Sequence, residues 1–207
     1  DSKVWEVSLA EISEIDVGSW FDPVFSEQRV PTLREVLELA RGRVNVVIEL
    51  KYYGHDQMLE KRVVDIVEAT DMVGNTAIMS LSYKALGKLR VLRPEWHIGL
   101  LSSKTIGATT DLDVDFMAVQ TGMARAGYIR RMHRAGKQVF VWTVNDPVTM
   151  SRMMSLGVDG IITDEPELAR EVLKQRQGLN IAERLLIHTA VIFGQPYTPR
   201  LYRDDSP

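Results

Sequence analysis

Glu49 and Lys51 are the two side chains of this sequence whose types and spacing most clearly suit chemistry. They lie two positions apart at the end of the apolar run Val46–Leu50, and residues i and i+2 of a strand project from the same face. A carboxylate can coordinate a divalent metal ion, and an ammonium group can meet a phosphate. The spacing therefore fits a metal-assisted phosphoryl site. An ordinary ion pair where a strand meets solvent fits it as well.

Length and composition narrow the class of protein that could carry such a site. The 207 residues, 45% apolar and 26% charged, suit one globular domain with a sizeable core. A net charge of -3 argues against nucleic acid as a partner, and the lack of cysteine excludes disulfides and thiolate metal sites. No apolar run is long enough for a spanning helix, and the first residues do not have the pattern of a signal peptide. The location, cytoplasmic or membrane-associated, stays open.

Strands and helices are predicted to alternate along the chain. Short apolar runs bounded by polar residues or glycine indicate strands buried on both faces, and amphipathic stretches between them indicate helices. Such alternation predicts a parallel sheet covered by helices, either doubly wound or a (β/α)8 barrel. No Gly-x-Gly-x-x-Gly turn follows a strand, which disfavours a dinucleotide-binding sheet. The predicted strands are Val44–Leu50, Thr76–Leu81, His97–Leu101, Phe116–Gln120, Gln138–Val144 and Gly160–Thr163. The predicted helices are Thr32–Ala40, Asp56–Thr70, Ser82–Leu92, Met123–Ala135, Asn145–Leu156, Pro166–Gln175 and Asn180–Phe193.

Three segments are predicted along the chain. Residues 1–43 form a loop and helix insertion that leads into the barrel, residues 44–178 form its βα units, and residues 179–207 form a last helix and a flexible tail. The last helix docks on the domain, lies on a membrane surface or meets a partner, and docking is favoured. A closed barrel needs eight strands, so the six predicted strands leave an open sheet. Exposed sheet edges predict self-association or a complementing N-terminal segment.

Six short motifs follow one another in a fixed order. They are Leu9–Ile12, Gly18–Phe21, Val30–Leu37, Ile48–Lys51, Val141–Asn145 and Gly157–Pro166. Each is weak alone. Together, from Lys3 to about Glu171, the chain resembles the glycerophosphodiester phosphodiesterase family of (β/α)8 barrels. The fold that the resemblance implies is an N-terminally incomplete (β/α)8 TIM barrel with about six of its eight strands.

The resemblance also implies an activity and roles for three residues. The family hydrolyses glycerophosphodiesters to an alcohol and glycerol 3-phosphate with a divalent metal ion, calcium or magnesium. Glu49 matches one of three carboxylate metal ligands, Lys51 would face the phosphate, and Trp142 would line the substrate pocket. Phe140, Trp142 and Val144 are predicted to share a strand face at the end where barrel active sites gather. Filling of the barrel core is the alternative for Trp142.

Important parts of the family pattern have no counterpart here: a strand with His-Arg, a strand with Glu-x-Asp and a loop with His-Asp. Of the four histidines, His55 is interpreted as a solvated loop residue and His97, His133 and His188 as structural. Ser80 stands near a position where the family has Asp or Asn, and could offer a hydroxyl. One carboxylate holds a hard cation poorly, and no histidine pair supplies an acid and a base. The chain by itself is therefore predicted to be inactive or nearly so.

Two other functions remain open. One is a non-catalytic binding or assembly module derived from the same barrel. The other is a different phosphate-binding barrel, since the turn Gly160–Pro166 into a helix resembles a phosphate site at a helix N-terminus. Asp164 and Glu165 would repel an anion there, so capping of the helix is favoured. The arginines of Met123–Ala135 are interpreted as a solvated outer face.

Overall fold

The computed structural model describes residues 3–52, 58–103, 109–179 and residue 183. It divides into two units, an N-terminal unit of Asp1–His97 and a C-terminal unit of Ile98–Pro207. The predicted boundaries after residues 43 and 178 instead separate an insertion, the βα units of the barrel and a last helix with its tail, and they stay predictions.

Within its described residues, 3–52 and 58–97, the N-terminal unit contains two strands and four helices with short 3-10 turns between them. Three of its described helices, α1, α2 and α4, begin at a Ser or Thr side chain that caps a backbone N–H group of the first turn. Ser8 with Glu11, and Thr32 with Glu35, form capping boxes in which each side chain binds the other's backbone N–H. The elements are α1 (Leu9–Ser13), α2 (Leu33–Ala40), β1 (Val46–Leu50), α3 (Leu59–Ala69), β2 (Thr76–Ser80) and α4 (Tyr83–Leu92), with turns at Val4–Glu6, Pro23–Phe25 and Val73–Asn75.

The two strands of this unit pair in parallel. Val46 is opposite Thr76 and Leu50 is opposite Ser80. One face of the pair is buried, because Leu50 and Ile78 are almost completely covered. The same core takes the inner faces of α3 and α4, which supply the buried residues Val63, Val64, Val67, Ala85, Leu86 and Leu89.

The C-terminal unit continues the alternation of strand and helix. Its strands pair in parallel in the order in which they occur along the chain. Asp146 caps α6 through the backbone N–H of Thr149, and Gly157 ends that helix in the left-handed conformation (φ 80°) that glycine adopts without strain. The elements are β3 (Ile98–Ser102), a turn at Thr109–Asp111, β4 (Phe116–Gln120), α5 (Ala126–Arg134), β5 (Gln138–Trp142), α6 (Pro147–Leu156), β6 (Gly160–Ile161) and α7 (Pro166–Gln177).

The two faces of the C-terminal sheet are filled differently. One face is aliphatic and fully buried, with Met117, Val119, Val139 and Val141 all at 0% exposure. The other face carries aromatic rings opposite small residues. Its centre is the stack of Phe116 on Phe140, whose ring centroids are 4.8 Å apart.

Several predicted strand ends are wrong by a few residues. The first strand begins at Val46 rather than Val44, because the Val44 N–H binds the Ala40 carbonyl in the turn that ends α2. The fifth ends at Trp142 rather than Val144, and the sixth at Ile161 rather than Thr163. The predicted helix Asn180–Phe193 lies outside the described residues apart from Glu183. No helix in the described part of the chain has the length and apolar character needed to cross a membrane.

Candidate active site

Glu49 and Lys51 lie together at the C-terminal end of β1. The Glu49 Oε2 and the Lys51 Nζ are 3.5 Å apart, and the two side chains are 24% and 52% exposed. Glu49 is the penultimate residue of the strand and Lys51 follows its last residue. The predicted shared orientation of the two groups is confirmed. Their ion pair contributes little to stability because it is solvated. Either group can therefore give up this contact to bind a ligand.

The face that carries Glu49 is the open face of the N-terminal strand pair. Leu50 and Ile78 point to the opposite face and are buried against the core of the unit, whereas Val47, on the same face as Glu49, is 47% exposed. Glu49 and Lys51 are therefore not turned into the packed side of the strands. This orientation is the one that a ligand site at the strand ends requires.

The Ser80 hydroxyl is used inside the protein and is not a free donor for a substrate. Its Oγ donates to the Leu50 carbonyl oxygen at 2.8 Å and accepts from the backbone N–H of Ser82 at 3.0 Å. Ser80 is 1% exposed. The hydroxyl thus connects the end of β1, just before Lys51, to the end of β2.

A buried carboxylate and the ring of Tyr52, the residue after Lys51, contact the same lysine. Glu60, in the first turn of α3, is 2% exposed, and its Oε1 lies 3.4 Å from the Nζ of Lys88 on α4. The same Nζ lies 5.8 Å from the ring centroid of Tyr52. These three side chains connect the exit of β1 to the two helices, so they help to fix the position of Lys51.

An amphipathic helix is expected to carry its charged residues on the solvent side, so Glu60 is not among the predicted site residues. The structure buries it instead. Glu60 precedes the buried Val63, Val64 and Val67 by three, four and seven positions, which is the spacing of one helix face. This spacing can be read from the sequence, and it predicts that Glu60 lies on the buried face of the helix.

Trp142 lies in the C-terminal unit, on the aromatic face of the sheet at the end of β5. It is half-buried, and its Nε1 donates to the Ala118 carbonyl oxygen of β4 at 3.0 Å. Phe140 shares this face as predicted, but Val144 lies beyond the end of the strand, where its N–H binds the Ile162 carbonyl. The indole is thus held in one orientation by its neighbouring strand.

Asn145 connects the exits of β5 and β6. Its Nδ2 donates to Asp164 Oδ2 at 2.8 Å, and its Oδ1 accepts from the Asp164 N–H at 3.0 Å and the Thr163 hydroxyl at 3.1 Å. The prediction that Asp164 caps the following helix is wrong. The N-cap of α7 is Glu165, whose side chain makes no capping hydrogen bond. The Asp164 carboxylate accepts a hydrogen bond from Asn145 instead.

The described histidines have structural surroundings. The His133 Nε2 lies 2.8 Å from Asp159 Oδ2, which also accepts from the Val139 N–H at 2.7 Å. His97 is exposed, and its backbone carbonyl accepts from the Ile78 N–H. His55 and His188 lie outside the described residues.

The described residues do not complete a metal site. Within residues 3–52, 58–103 and 109–179, no group of three acidic or histidine side chains is placed to hold a metal ion. Calcium and magnesium take about six or more oxygen ligands, usually with several from the protein. Glu49 could serve as one such ligand.

Comparison with known proteins shows the class of protein to which these features belong. A sequence model of the glycerophosphoryl diester phosphodiesterase family matches residues 1–168. The chain is 29% identical over 174 residues to the glycerophosphodiester phosphodiesterase of Caldanaerobacter subterraneus, covering 79% of this chain and 70% of that protein. It is 27% identical over 189 residues to that of Bacillus subtilis, covering 81% of this chain and 64% of that protein.

Solved structures agree with the sequence matches. A glycerophosphodiester phosphodiesterase from Agrobacterium tumefaciens superimposes with a TM-score of 0.70 at 27% identity, covering 82% of this chain and 74% of that one. An Oleispira antarctica phosphodiesterase, solved with the product sn-glycerol-3-phosphate, gives a TM-score of 0.76 at 22% identity, covering 84% of this chain and 73% of that one.

The chain therefore belongs to the glycerophosphoryl diester phosphodiesterase family. Its named relatives are phosphoric diester hydrolases, so the predicted enzyme class is confirmed. The predicted fold class is confirmed too: the fold is that of the family's TIM barrel, with six of the eight strands of a closed barrel among the described residues.

Proposed function

We propose that the protein hydrolyses glycerophosphodiesters to an alcohol and glycerol 3-phosphate. The observation that carries this proposal is the pairing of the Glu49 carboxylate with the Lys51 ammonium at 3.5 Å on the open face of β1. The family match over residues 1–168 and the product bound to the Oleispira antarctica relative support the same chemistry.

Lys51 would neutralise charge on the phosphoryl oxygens. Hydrolysis increases the negative charge there, and a fixed ammonium group stabilises that charge more in the transition state than in the ground state. Ser80 holds the end of β1, and Tyr52 with Lys88 holds the residues that follow it. These contacts keep Lys51 in place before a substrate binds.

Glu49 would contribute one oxygen ligand to a divalent cation, which supplies Lewis-acid stabilisation of the phosphoryl group when bound. Calcium and magnesium are the two predicted ions. Because the described residues offer one carboxylate at this point, the remaining ligands have to come from elsewhere.

Trp142 would form an apolar wall of the substrate pocket. Its Nε1 is already bound to the Ala118 carbonyl, which leaves the indole ring as the part that a ligand can contact. A rigid ring suits the glycerol carbons or the alcohol group of a phosphodiester.

Turnover by these 207 residues alone is expected to be very low. The sequence holds four histidines, of which His133 is engaged with Asp159 and His97 precedes a strand. Sequencing the gene around this segment would show whether it also encodes the family's histidine motifs. Expressing such motifs with this chain tests the proposal, with release of glycerol 3-phosphate from a glycerophosphodiester in calcium or magnesium as the measurement.

Variants of the active form test the assigned residues. Lys51→Met should lower kcat/KM by about 100-fold, as removal of a transition-state charge partner typically does, and Glu49→Gln should raise the metal concentration needed for activity. Lys61→Met is the control, since Lys61 is an exposed lysine paired with Asp65 on α3. Robust hydrolysis by the 207-residue chain, or full activity of Lys51→Met, would contradict the proposal.

A non-catalytic binding module remains the second candidate, because the described residues do not complete a metal site. Glycerol 3-phosphate binding measured by calorimetry, without turnover even when the upstream segment is present, would favour it. Self-association through the open sheet stays a prediction, to be measured by sedimentation.

A further inference from the structure

One stretch of the C-terminal unit carries an excess of positive charge because it has almost no acidic residues. Residues 116–158 contain six basic residues and one acidic residue, whereas the whole chain has a net charge of -3. The acidic residue is Asp146, and its carboxylate is used to cap α6. Such separation of charge on an acidic protein indicates a surface for an anionic partner.

Three arginines of α5 form the centre of this surface. Arg130, Arg131 and Arg134 are exposed, and at about 100° per residue they span an arc of about 100° on the helix. The buried residues of α5, Tyr128, Ile129 and Met132, lie on the opposite side. These three arginines form the basic face of the unit.

The charges of the basic face are not neutralised by the described protein. Among residues 3–52, 58–103 and 109–179, neither Arg130 nor Arg134 has a side-chain hydrogen bond or ion pair, and Arg131 lies over the Tyr128 ring at 5.6 Å. Arg93, by contrast, makes a two-point ion pair with Glu68.

The acidic residues around α5 have other contacts. Asp159 binds His133 and the Val139 N–H, and Asp111, in the turn packed on α5, accepts from the Thr110 hydroxyl. Asp113 follows in the same segment. The guanidinium groups are thus available for phosphate, which they bind with two parallel hydrogen bonds.

We propose that the basic face binds the surface of a membrane that contains anionic phospholipids. The choice of a lipid surface rests on the proposed function, since a glycerophosphodiester is the head-group part of a phospholipid without its acyl chains. The face is the outer side of a helix, which suits a flat array of phosphates. It lacks the exposed aromatic rings that bind single-stranded nucleic acid: in the described part of residues 93–172, no large hydrophobic side chain is exposed. Binding is therefore electrostatic, without insertion.

Vesicle sedimentation of the 207-residue chain, without substrate, tests the proposal. The probes are phosphatidylcholine vesicles with and without phosphatidylserine, at low and high salt. Each basic residue near such a surface changes binding by about fivefold, so Arg130→Gln/Arg134→Gln should weaken binding roughly 20-fold. Binding should require phosphatidylserine and fall with salt, because salt screens exposed charges.

Arg43→Gln/Arg62→Gln is the matched control. It removes the same charge from two exposed arginines of the N-terminal unit, so its binding should stay near that of the unmodified chain. Circular dichroism checks that both variants are folded. Absence of binding, equal binding to phosphatidylcholine alone, an equal loss in the control, or preferential binding of an oligonucleotide would each overturn the proposal. Vesicle binding does not depend on turnover, so failure of the membrane proposal and failure of the proposed enzyme activity can be told apart.

Discussion

The two units hold their predicted site residues in different ways. In the C-terminal unit, Trp142 lies on the sheet face that carries the stacked rings of Phe116 and Phe140. Its indole N–H donates a hydrogen bond to the neighbouring strand β4. In the N-terminal unit, Glu49 and Lys51 lie on an open face, and polar contacts at the strand ends hold the backbone beneath them. Trp142 is thus positioned by one hydrogen bond on a packed sheet face, whereas hydrogen bonds and charges at the strand ends position the ionic residues.

The largest effect on stability is expected from adding an atom to the aromatic face of the C-terminal sheet. Gly99 faces Phe116, and a Cβ at position 99 would overlap the Phe116 ring, which is fully buried. Gly99→Ala should lower the free energy of unfolding by about 2 to 3 kcal/mol, measured by urea denaturation. Gly127→Ala is the control, since a Cβ there meets nothing within 4 Å and should stabilise α5 slightly. Equal stability of the two variants would show that ring packing does not hold this face.

A smaller effect is expected from the polar contacts of the N-terminal unit. Lys88→Met leaves the buried Glu60 carboxylate without its cation and should cost about 1 to 2 kcal/mol. Glu60→Gln should cost less, because it removes the buried charge and keeps the shape. Lys61→Met, which breaks an exposed pair, should cost at most about 0.5 kcal/mol. If Glu60→Gln is the most damaging of the three, the lysine does not stabilise the buried carboxylate.

The tryptophans provide a direct comparison between the units. Trp142→Phe keeps an aromatic ring but leaves the Ala118 carbonyl without its donor, so we expect a loss of about 1 kcal/mol. Trp20 is 81% exposed, and Trp20→Phe should change stability by less than about 0.5 kcal/mol. Thermal unfolding of the two variants measures the difference, and a larger shift for Trp20→Phe would contradict the ordering.

The smallest effect on stability is expected in the N-terminal loop when the pH is lowered. Hydrogen bonds from the Ser19 hydroxyl and from the backbone N–H groups of Ser19 and Gly18 lower the pKa of Asp16 to about 2. Because this pKa is below the ordinary value, the contribution to stability is complete near neutral pH and is lost as the pH falls towards 2. An NMR carboxyl titration measures it, with Asp16→Asn to assign the resonance. An ordinary pKa would show that these bonds do not persist in solution.

The order of elements and the direction of Glu49 and Lys51 could be predicted from the sequence, because strand periodicity fixes which residues share a face. The contacts that position them could not. The sequence suggests that the Ser80 hydroxyl could contact a ligand, but this hydroxyl donates to the carbonyl of Leu50, which is 30 residues away in the chain. Asp164 has the sequence of a helix cap, but Asn145, 19 residues earlier, binds it instead. Local patterns reveal local contacts, and these partners are brought together only by folding.

The Asn145 amide has a consequence for the chemical ageing of the protein. Deamidation turns an asparagine into an acid, and at this position it would place a second carboxylate against Asp164 where an N–H donor now lies. The exits of β5 and β6 would then repel each other. The same three hydrogen bonds hold the amide in place and so slow its attack by the following backbone nitrogen. A stored sample should lose this connection slowly, and mass spectrometry of the tryptic peptide would show when it has done so.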